Sequence, residues 1–326
     1  MSLDADHIVD RRRMRRKLTF WRVIAVLVAV AGIAALAYAV APRATGIASS
    51  DYIARIKIQG LIRGDQERVE ALDRLAGSSV AKAVVVHVDS PGGTTAGAEQ
   101  LYDALMRLKN RKPTVVVVDG LAASGGYIAA LAADRIFAQE TSLVGSIGVL
   151  FQYPNFADLL KTIGVQVESI KSSPLKAAPN GFEPTSPEAR AAIESIVMDT
   201  YNWFKNLVQT RRSMDQALLE RVSDGRVFTG RQGLELKLID ALGDERAAVA
   251  WLRKEKNIPA GLRVRDYKLE SRFRDLSFLH LAAVAVLEAV GLRSLAQRLE
   301  TWGALQAVER LNLDGLLALW HPPVSQ

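Results

Sequence analysis

The chain has 326 residues, 49% of them hydrophobic, enough to build one large domain or two small ones. It contains no cysteine, which excludes disulfides, a thiolate metal site and a cysteine nucleophile. The net charge of +7 invites a nucleic-acid partner, but residues 1–22 carry seven Arg/Lys and three Asp. The remainder is too near neutral to read as a nucleic-acid binder.

That basic leader, 1–22, includes the cluster Arg11 to Lys17 and is followed by Val23 to Ala41, nineteen residues without charge. As a helix such a run spans about 28 Å, close to the thickness of a bilayer core. Phe20 and Trp21 stand where an aromatic belt would. A transmembrane anchor is therefore expected over 23–42, with the N-terminus cytoplasmic and everything after Pro42 outside. A cleaved signal peptide competes, since Ala37-Tyr38-Ala39 and Ala39-Val40-Ala41 offer small residues. The apolar run is longer than an ordinary signal h-region, and Pro42 would directly follow the second site. The retained anchor is the preferred reading.

Residues 43–50 read as a linker, and a domain is expected over 51–265. Its elements in order are a strand from Ile53 to Ile58, a helix from Gln66 to Ala76, a strand from Ala83 to Val88 and a helix from Ala96 to Lys109. A strand from Thr114 to Val118 and a helix from Gly125 to Ala133 follow, then a strand from Arg135 to Ala138 and a turn from Val144 to Val149. Val165 to Ile170 reads as a strand. Pro187 to Arg211 reads as a long helix with Ile193, Ile196, Val197, Tyr201, Phe204 and Val208 at helical spacing, a core or subunit-packing stripe. Alternating strands and helices imply an α/β fold of right-handed βαβ crossovers on a mainly parallel sheet. Valine runs such as Val84-Val85-Val86 fit strands covered on both faces. Residues 266–326 read as an extension, with two amphipathic helices over 275–320 packing on a neighbouring subunit or lying on a membrane surface.

The chemistry concentrates where strands meet helices. Ser124 opens a helix directly after a strand, where free backbone N–H groups favour developing negative charge. The glycine segment Asp89 to Gly93 ends the preceding strand, so two crossovers could bring backbone donors to one point. That is the layout of a nucleophile facing an oxyanion hole. By itself, Ser124 could equally be an ordinary helix cap. None of the four histidines is well placed as a base: His7 lies in the leader, His321 in the tail, His87 inside a strand and His280 in an apolar segment. Lysine is then the candidate. Lys176 would have to be neutral to accept a proton, which burial in an apolar site favours; Lys171, at the end of the Val165 to Ile170 run, reads as an exposed edge charge.

Five segments appear in a telling order: Val84 to Gly93, Ala123 to Tyr127, Gly145 to Val149, Gly225 to Gly230 and Leu238 to Gly243. Together they resemble the signal peptide peptidase A (protease IV) family in its short form, over roughly residues 50 to 255. The resemblance implies a Clp/crotonase-type fold and a Ser-Lys serine peptidase. By it, Ser124 would be the nucleophile, Lys176 the general base, the N–H groups of Gly93 and Gly125 the oxyanion hole, and Ser146 the residue that orients the lysine. The chain departs from the family at Ile128, where many relatives have an aromatic, and at Ser173 to Lys176, where relatives often read Gly-x-Tyr-Lys. No metal or cofactor is implied.

Implied substrates are remnant signal peptides and other membrane-proximal peptides, in the inner membrane with the peptidase domain periplasmic. Because larger relatives carry the domain twice and this chain once, a homo-oligomer is expected in which Lys176 of one copy reaches Ser124 of another. Alternatives are a SohB-like or stomatin-associated membrane protease and, more distantly, a crotonase-like acyl-CoA enzyme or a non-catalytic membrane scaffold.

Overall fold

Consecutive residues of the second strand go to opposite cores, which is why its valines run unbroken. A computed structural model describes residues 50–269 and 316–319, together with Lys17, Trp21, Ile24, Val28 and Gly32. Those five positions are helical; the rest of the expected anchor, and His280, lie outside the described residues. Among the described residues no helix is long and apolar enough to cross a membrane. The chain divides into two units, Met1–Ser50 and Asp51–Gln326, and the second holds the sheet and its helices.

In chain order the elements are β1 (Tyr52–Ile62), α1 (Gln66–Gly77), β2 (Ala81–Thr94), α2 (Thr95–Lys109), β3 (Thr114–Ala123), α3 (Gly125–Ala130), β4 (Arg135–Ala138), β5 (Leu143–Gly145) and β6 (Leu150–Phe151). Then come α4 (Ala157–Thr162), α5 (Pro187–Arg212), α6 (Gln216–Val222), β7 (Val227–Thr229), α7 (Gly230–Glu235), β8 (Ala241–Leu242), α8 (Glu245–Glu255), β9 (Arg263–Asp266) and β10 (Leu316–Leu319). The described strands form one sheet in which β1, β2, β3, β4 and β8 pair in parallel. Val84, Val86 and Val88 face one core, with Leu72, Leu105 and Phe204 from α1, α2 and α5. Ala83 and Val85 face the other, with Ala248, Val249 and Leu252 of α8. The two-residue side-chain period of a strand and helices on both faces produce this division.

Several expected boundaries move. β2 does not stop at Val88: it continues through Ser90-Pro91-Gly92-Gly93 with register shifts against both neighbours. Ser90 makes this possible, its hydroxyl donating to the Gly60 carbonyl at 2.7 Å and accepting from the Gly92 N–H at 3.1 Å. Proline and glycine are tolerated in a strand at such irregularities. β3 likewise runs on to Ala123 rather than ending at Val118, and α3 stops at Ala130 rather than Ala133. Val165 to Ile170 forms no strand; Ile170 is fully exposed, and no neighbouring edge is paired with the segment.

The far end of the chain also differs from expectation. Residues 316–319 form a strand and not part of an amphipathic helix; the rest of the expected helical pair lies outside the described residues. Four apolar residues carry too short a pattern to separate helix from strand, and here backbone partners on two neighbouring strands decide the outcome.

One contact ties two of the sequence motifs together. Tyr127 of α3 is fully buried, and its hydroxyl donates to the Leu238 carbonyl at 2.8 Å. Burial pushes the phenol well above its ordinary range. Tyr127→Phe strands that carbonyl in the core, so we expect a loss of about 1–2 kcal/mol. Urea unfolding should show a lower midpoint with an unchanged slope.

Candidate active site

A strand has two edges, and in this sheet both central strands change neighbours at the same level. β1 lines one edge of β2 from Ile53 opposite Ala83 to Ile62 opposite Gly93. β3 lines the other edge as far as Ala122 opposite Ser90. From Gly92 to Thr94 that second edge passes to β10. On β3, the edge held by β4 up to Val118 passes to β5 from Leu121 to Ala123. The sheet therefore forks, and Ser124 follows immediately at the fork.

Ser124 sits in a backbone conformation that L-residues rarely adopt, φ 54° and ψ −116°. Its N–H donates to the Gly145 carbonyl at 2.8 Å, and its own carbonyl accepts from Tyr127 and Ile128. The side chain makes no capping hydrogen bond to α3, so the helix-cap reading fails. The residue is 1% exposed and its Oγ is buried without a hydrogen-bond partner. A hydroxyl held on a strained turn, with its hydrogen-bonding capacity unused, is what a nucleophile awaiting its base requires.

Ser146, Gly93 and Gly125 stand at the ends of neighbouring strands or at the start of α3. Because Ala123 pairs with Gly145 in parallel strands, Ser146 follows β5 just as Ser124 follows β3. Ser146 is also buried and also at positive φ, 52°, pinned by its N–H on the Arg226 carbonyl at 2.8 Å. Thus the expected Gly225 to Gly230 motif supports the site through its backbone. Gly93 has no room for a side chain: a Cβ there would lie 1.8 Å from the Ile62 carbonyl oxygen. Gly125 is the first residue of α3, a position whose N–H has no acceptor within the helix. Sequence reasoning missed Gly126, where a Cβ would lie 2.6 Å from the Ser90 carbonyl oxygen. Only a glycine lets α3 sit this close on β2.

The lysines separate clearly. Lys171 is no free edge charge: its amine pairs with Glu183 at 2.7 Å, and that contact is the main cause of the Glu183 carboxyl titrating below its usual range. Lys176 closes a turn, its N–H donating to the Ser173 carbonyl at 3.1 Å, and stands exposed. With the Ser124 hydroxyl unpartnered, neither Lys176 nor Ser146 bonds it within one chain. His87, inside β2, holds a polar network. Its ring nitrogens lie 2.7 Å from Asp119 and 2.7 Å from Glu245, and Arg55 forks onto Glu245, chiefly through which the Glu245 carboxyl is held below its usual range. This network fastens the start of α8 to the sheet.

Comparison with known proteins agrees with this geometry. The family model described as Peptidase family S49 matches residues 106–259, and that of Clp protease matches residues 64–144. A putative protease of Synechocystis is 33% identical over 200 residues, covering 61% of this chain and 72% of that protein. A putative signal peptide peptidase SppA of Enterococcus faecium is 32% identical, over 59% of this chain and 56% of its own length. The chloroplastic serine protease SPPA of Arabidopsis thaliana is 32% identical, over 61% of this chain and 30% of its own length. These matches bear out the resemblance to signal peptide peptidase A and the Clp-type α/β fold. Similarity that runs through Ser124 and extends over 72% of a relative's length makes the chain a serine peptidase belonging to peptidase family S49.

Proposed function

We propose that the protein is a membrane-anchored endopeptidase with a Ser-Lys dyad, acting on remnant signal peptides and other membrane-proximal peptides. In this reading 23–42 is the anchor, 51–265 the extracytoplasmic peptidase domain, and the working form a homo-oligomer. Ser124 Oγ attacks the scissile carbonyl carbon as Lys176 Nζ of a second copy takes the hydroxyl proton. The N–H groups of Gly93 and Gly125 hold the oxyanion while Ser146 orients the amine. The lysine then protonates the leaving amine as the C–N bond breaks. Water, losing its proton to the same lysine, hydrolyses the acyl-enzyme. Membership of a peptidase family sets the acyl-CoA reading aside.

The observation that carries this reading is the buried, strained, unpartnered Ser124. Two further features support a second copy. Lys176 is exposed, whereas a lysine acting as a base calls for apolar surroundings. It also lies in a segment that leaves Phe156, Leu159, Ile163, Leu175 and Phe182 exposed, apolar side chains that a second copy would cover. Mixing Ser124→Ala with Lys176→Ala chains in one oligomer should restore hydrolysis of an apolar peptide, since some interfaces then pair an intact serine with an intact lysine. Inactivity of demonstrably mixed oligomers would place both residues of the dyad in one chain.

A further inference from the structure

We propose that His87 is a positioning residue for the nucleophile: it clamps β3 at Asp119, where that strand leaves its regular course and bends toward Ser124. This rests on the reading of Ser124 as nucleophile. From Val88 opposite Val118 to Ser90 opposite Ala122, β2 advances two residues while β3 advances four. β4 flanks β3 only up to Val118 and β5 only from Leu121, so Asp119 and Gly120 have no strand partner in any of these registers. Two side chains hold the bend instead. The Ser142 hydroxyl donates to the Asp119 carbonyl at 3.0 Å, and His87 Nδ1 lies 2.7 Å from the Asp119 carboxylate.

The His87 ring is held at both ends, since Nε2 lies 2.7 Å from Glu245, and its side chain is only 13% exposed. An ionised carboxylate can only accept, so both contacts are hydrogen bonds only while both ring nitrogens carry a proton. Glu245 is kept ionised by the Arg55 fork, the first cause of its carboxyl lying below the usual range. Arg55 is held in turn by Asp266 at 2.8 Å. Lys57, opposite the ring on β1, and Asp89, farther along β2, are the other charges beside it on these strands, and both are exposed.

When the ring gives up one proton, one carboxylate faces a bare nitrogen lone pair. Glu245 keeps Arg55, whereas Asp119 pairs with no other cation among the described residues. Asp119 is therefore the contact that yields, and β3 loosens at the bend. Ser124 keeps its φ of 54° only while its surroundings impose it, so the clamp helps to hold its hydroxyl in place. The support is present at low pH and lost as pH rises. It opposes the lysine base, which must be neutral, and gives the rate an alkaline limb.

Two amides separate this role from simple fastening of α8. His87→Gln carries its amide nitrogen near the place of Nε2 and keeps a donor for Glu245 alone; His87→Asn carries it near the place of Nδ1 and keeps one for Asp119 alone. We expect His87→Gln to lower kcat for an apolar peptide by at least about tenfold with KM within about twofold, the effect of one lost hydrogen bond to a charged group. His87→Asn should keep more of the rate and should lack the alkaline fall of kcat shown by the unaltered chain. Equal rates, or a slower Asn variant than Gln variant, would overturn the proposal.

Hydrogen exchange reads the clamp without catalysis, in full chains carrying Ser124→Ala. Corrected for the intrinsic pH dependence, amides 119–124 should exchange about tenfold faster with His87→Gln than with His87→Asn, while those of 245–255 should not. Acceleration confined to 245–255, or none, would sink the idea. Asp119→Asn leaves the ring in place, and its carboxamide turns to accept or donate, so it meets the ring in either protonation state. The rise in 119–124 exchange with pH that we expect with aspartate should then disappear; a rise that persists would also count against the clamp. Failure of the peptidase reading would show separately, as absent hydrolysis by the unaltered chain.

Discussion

Ser124→Ala and Lys176→Ala should each lower peptide hydrolysis by about a thousandfold or more, and the double variant should lose little beyond either. Residues that work as a unit give losses that do not add. The residual rate would come from the oxyanion donors and binding alone. Lys171→Ala is the informative control, because its amine is committed to Glu183; its rate should stay within about twofold of the unaltered chain, the range in which a surface pair contributes little. A dead Lys171→Ala beside an active Lys176→Ala would transfer the base to Lys171. Stability separates the serine's chemistry from its structure. With φ 54° and no partner for its hydroxyl, Ser124 weakens the fold, so Ser124→Gly should relieve strain of about 1–3 kcal/mol. Part of that is offset by the greater backbone freedom of glycine when unfolded, about 0.4–1 kcal/mol. The inactive protein should therefore unfold at a slightly higher urea concentration than the active one.

Gly93→Ala is expected to be the most damaging single-methyl change in the domain. The added Cβ would meet the Ile62 carbonyl oxygen at 1.8 Å and the Ile62 N at 2.7 Å, and both are backbone atoms in a paired strand that cannot swing aside. β1 and β2 must separate at this level. The cost should exceed about 3 kcal/mol, the upper range of ordinary overpacking. Activity should vanish together with it, as the same shift displaces the Gly93 N–H. Circular dichroism against urea, alongside a peptide assay, would test both. A Gly93→Ala protein of normal stability and activity would mean that the strands part easily and that Gly93 does not hold the oxyanion.

The sheet was legible where both faces are covered, because Val84 to Val88 and Thr114 to Val118 leave no other reading. The site's position was legible for a related reason: strand, glycine and serine succeed one another in an order that few folds need. What escaped were outcomes decided by distant backbone. Ser90-Pro91-Gly92-Gly93 carries the signature of a turn, and pairing with Leu61 and Ile62 of β1, together with the bond from Ser90 to Gly60, makes it strand. Val165 and Val167 alternate with Gln166 and Glu168 as in a strand, yet an alternating pattern needs an available edge and none is paired with it. The ion pair of Lys171 joins residues whose spacing has no periodic meaning. Gly126 was invisible because a second glycine in a serine motif says nothing about which carbonyl lies beneath it.

The pairing of β10 also orders the assembly of the molecule in time. β1, β2 and β3 are neighbours in sequence, each joined to the next by a single crossover helix, so they close short loops. Thr94 and Leu317 are paired across about two thirds of the chain, and their loop carries the larger entropic cost, which slows the step. Synthesis runs from the N-terminus, so residues 316–319 also leave the ribosome after the rest of the sheet. The fork around Ser124 is therefore complete before its last strand arrives, and the newborn domain passes through a stage in which that edge is open.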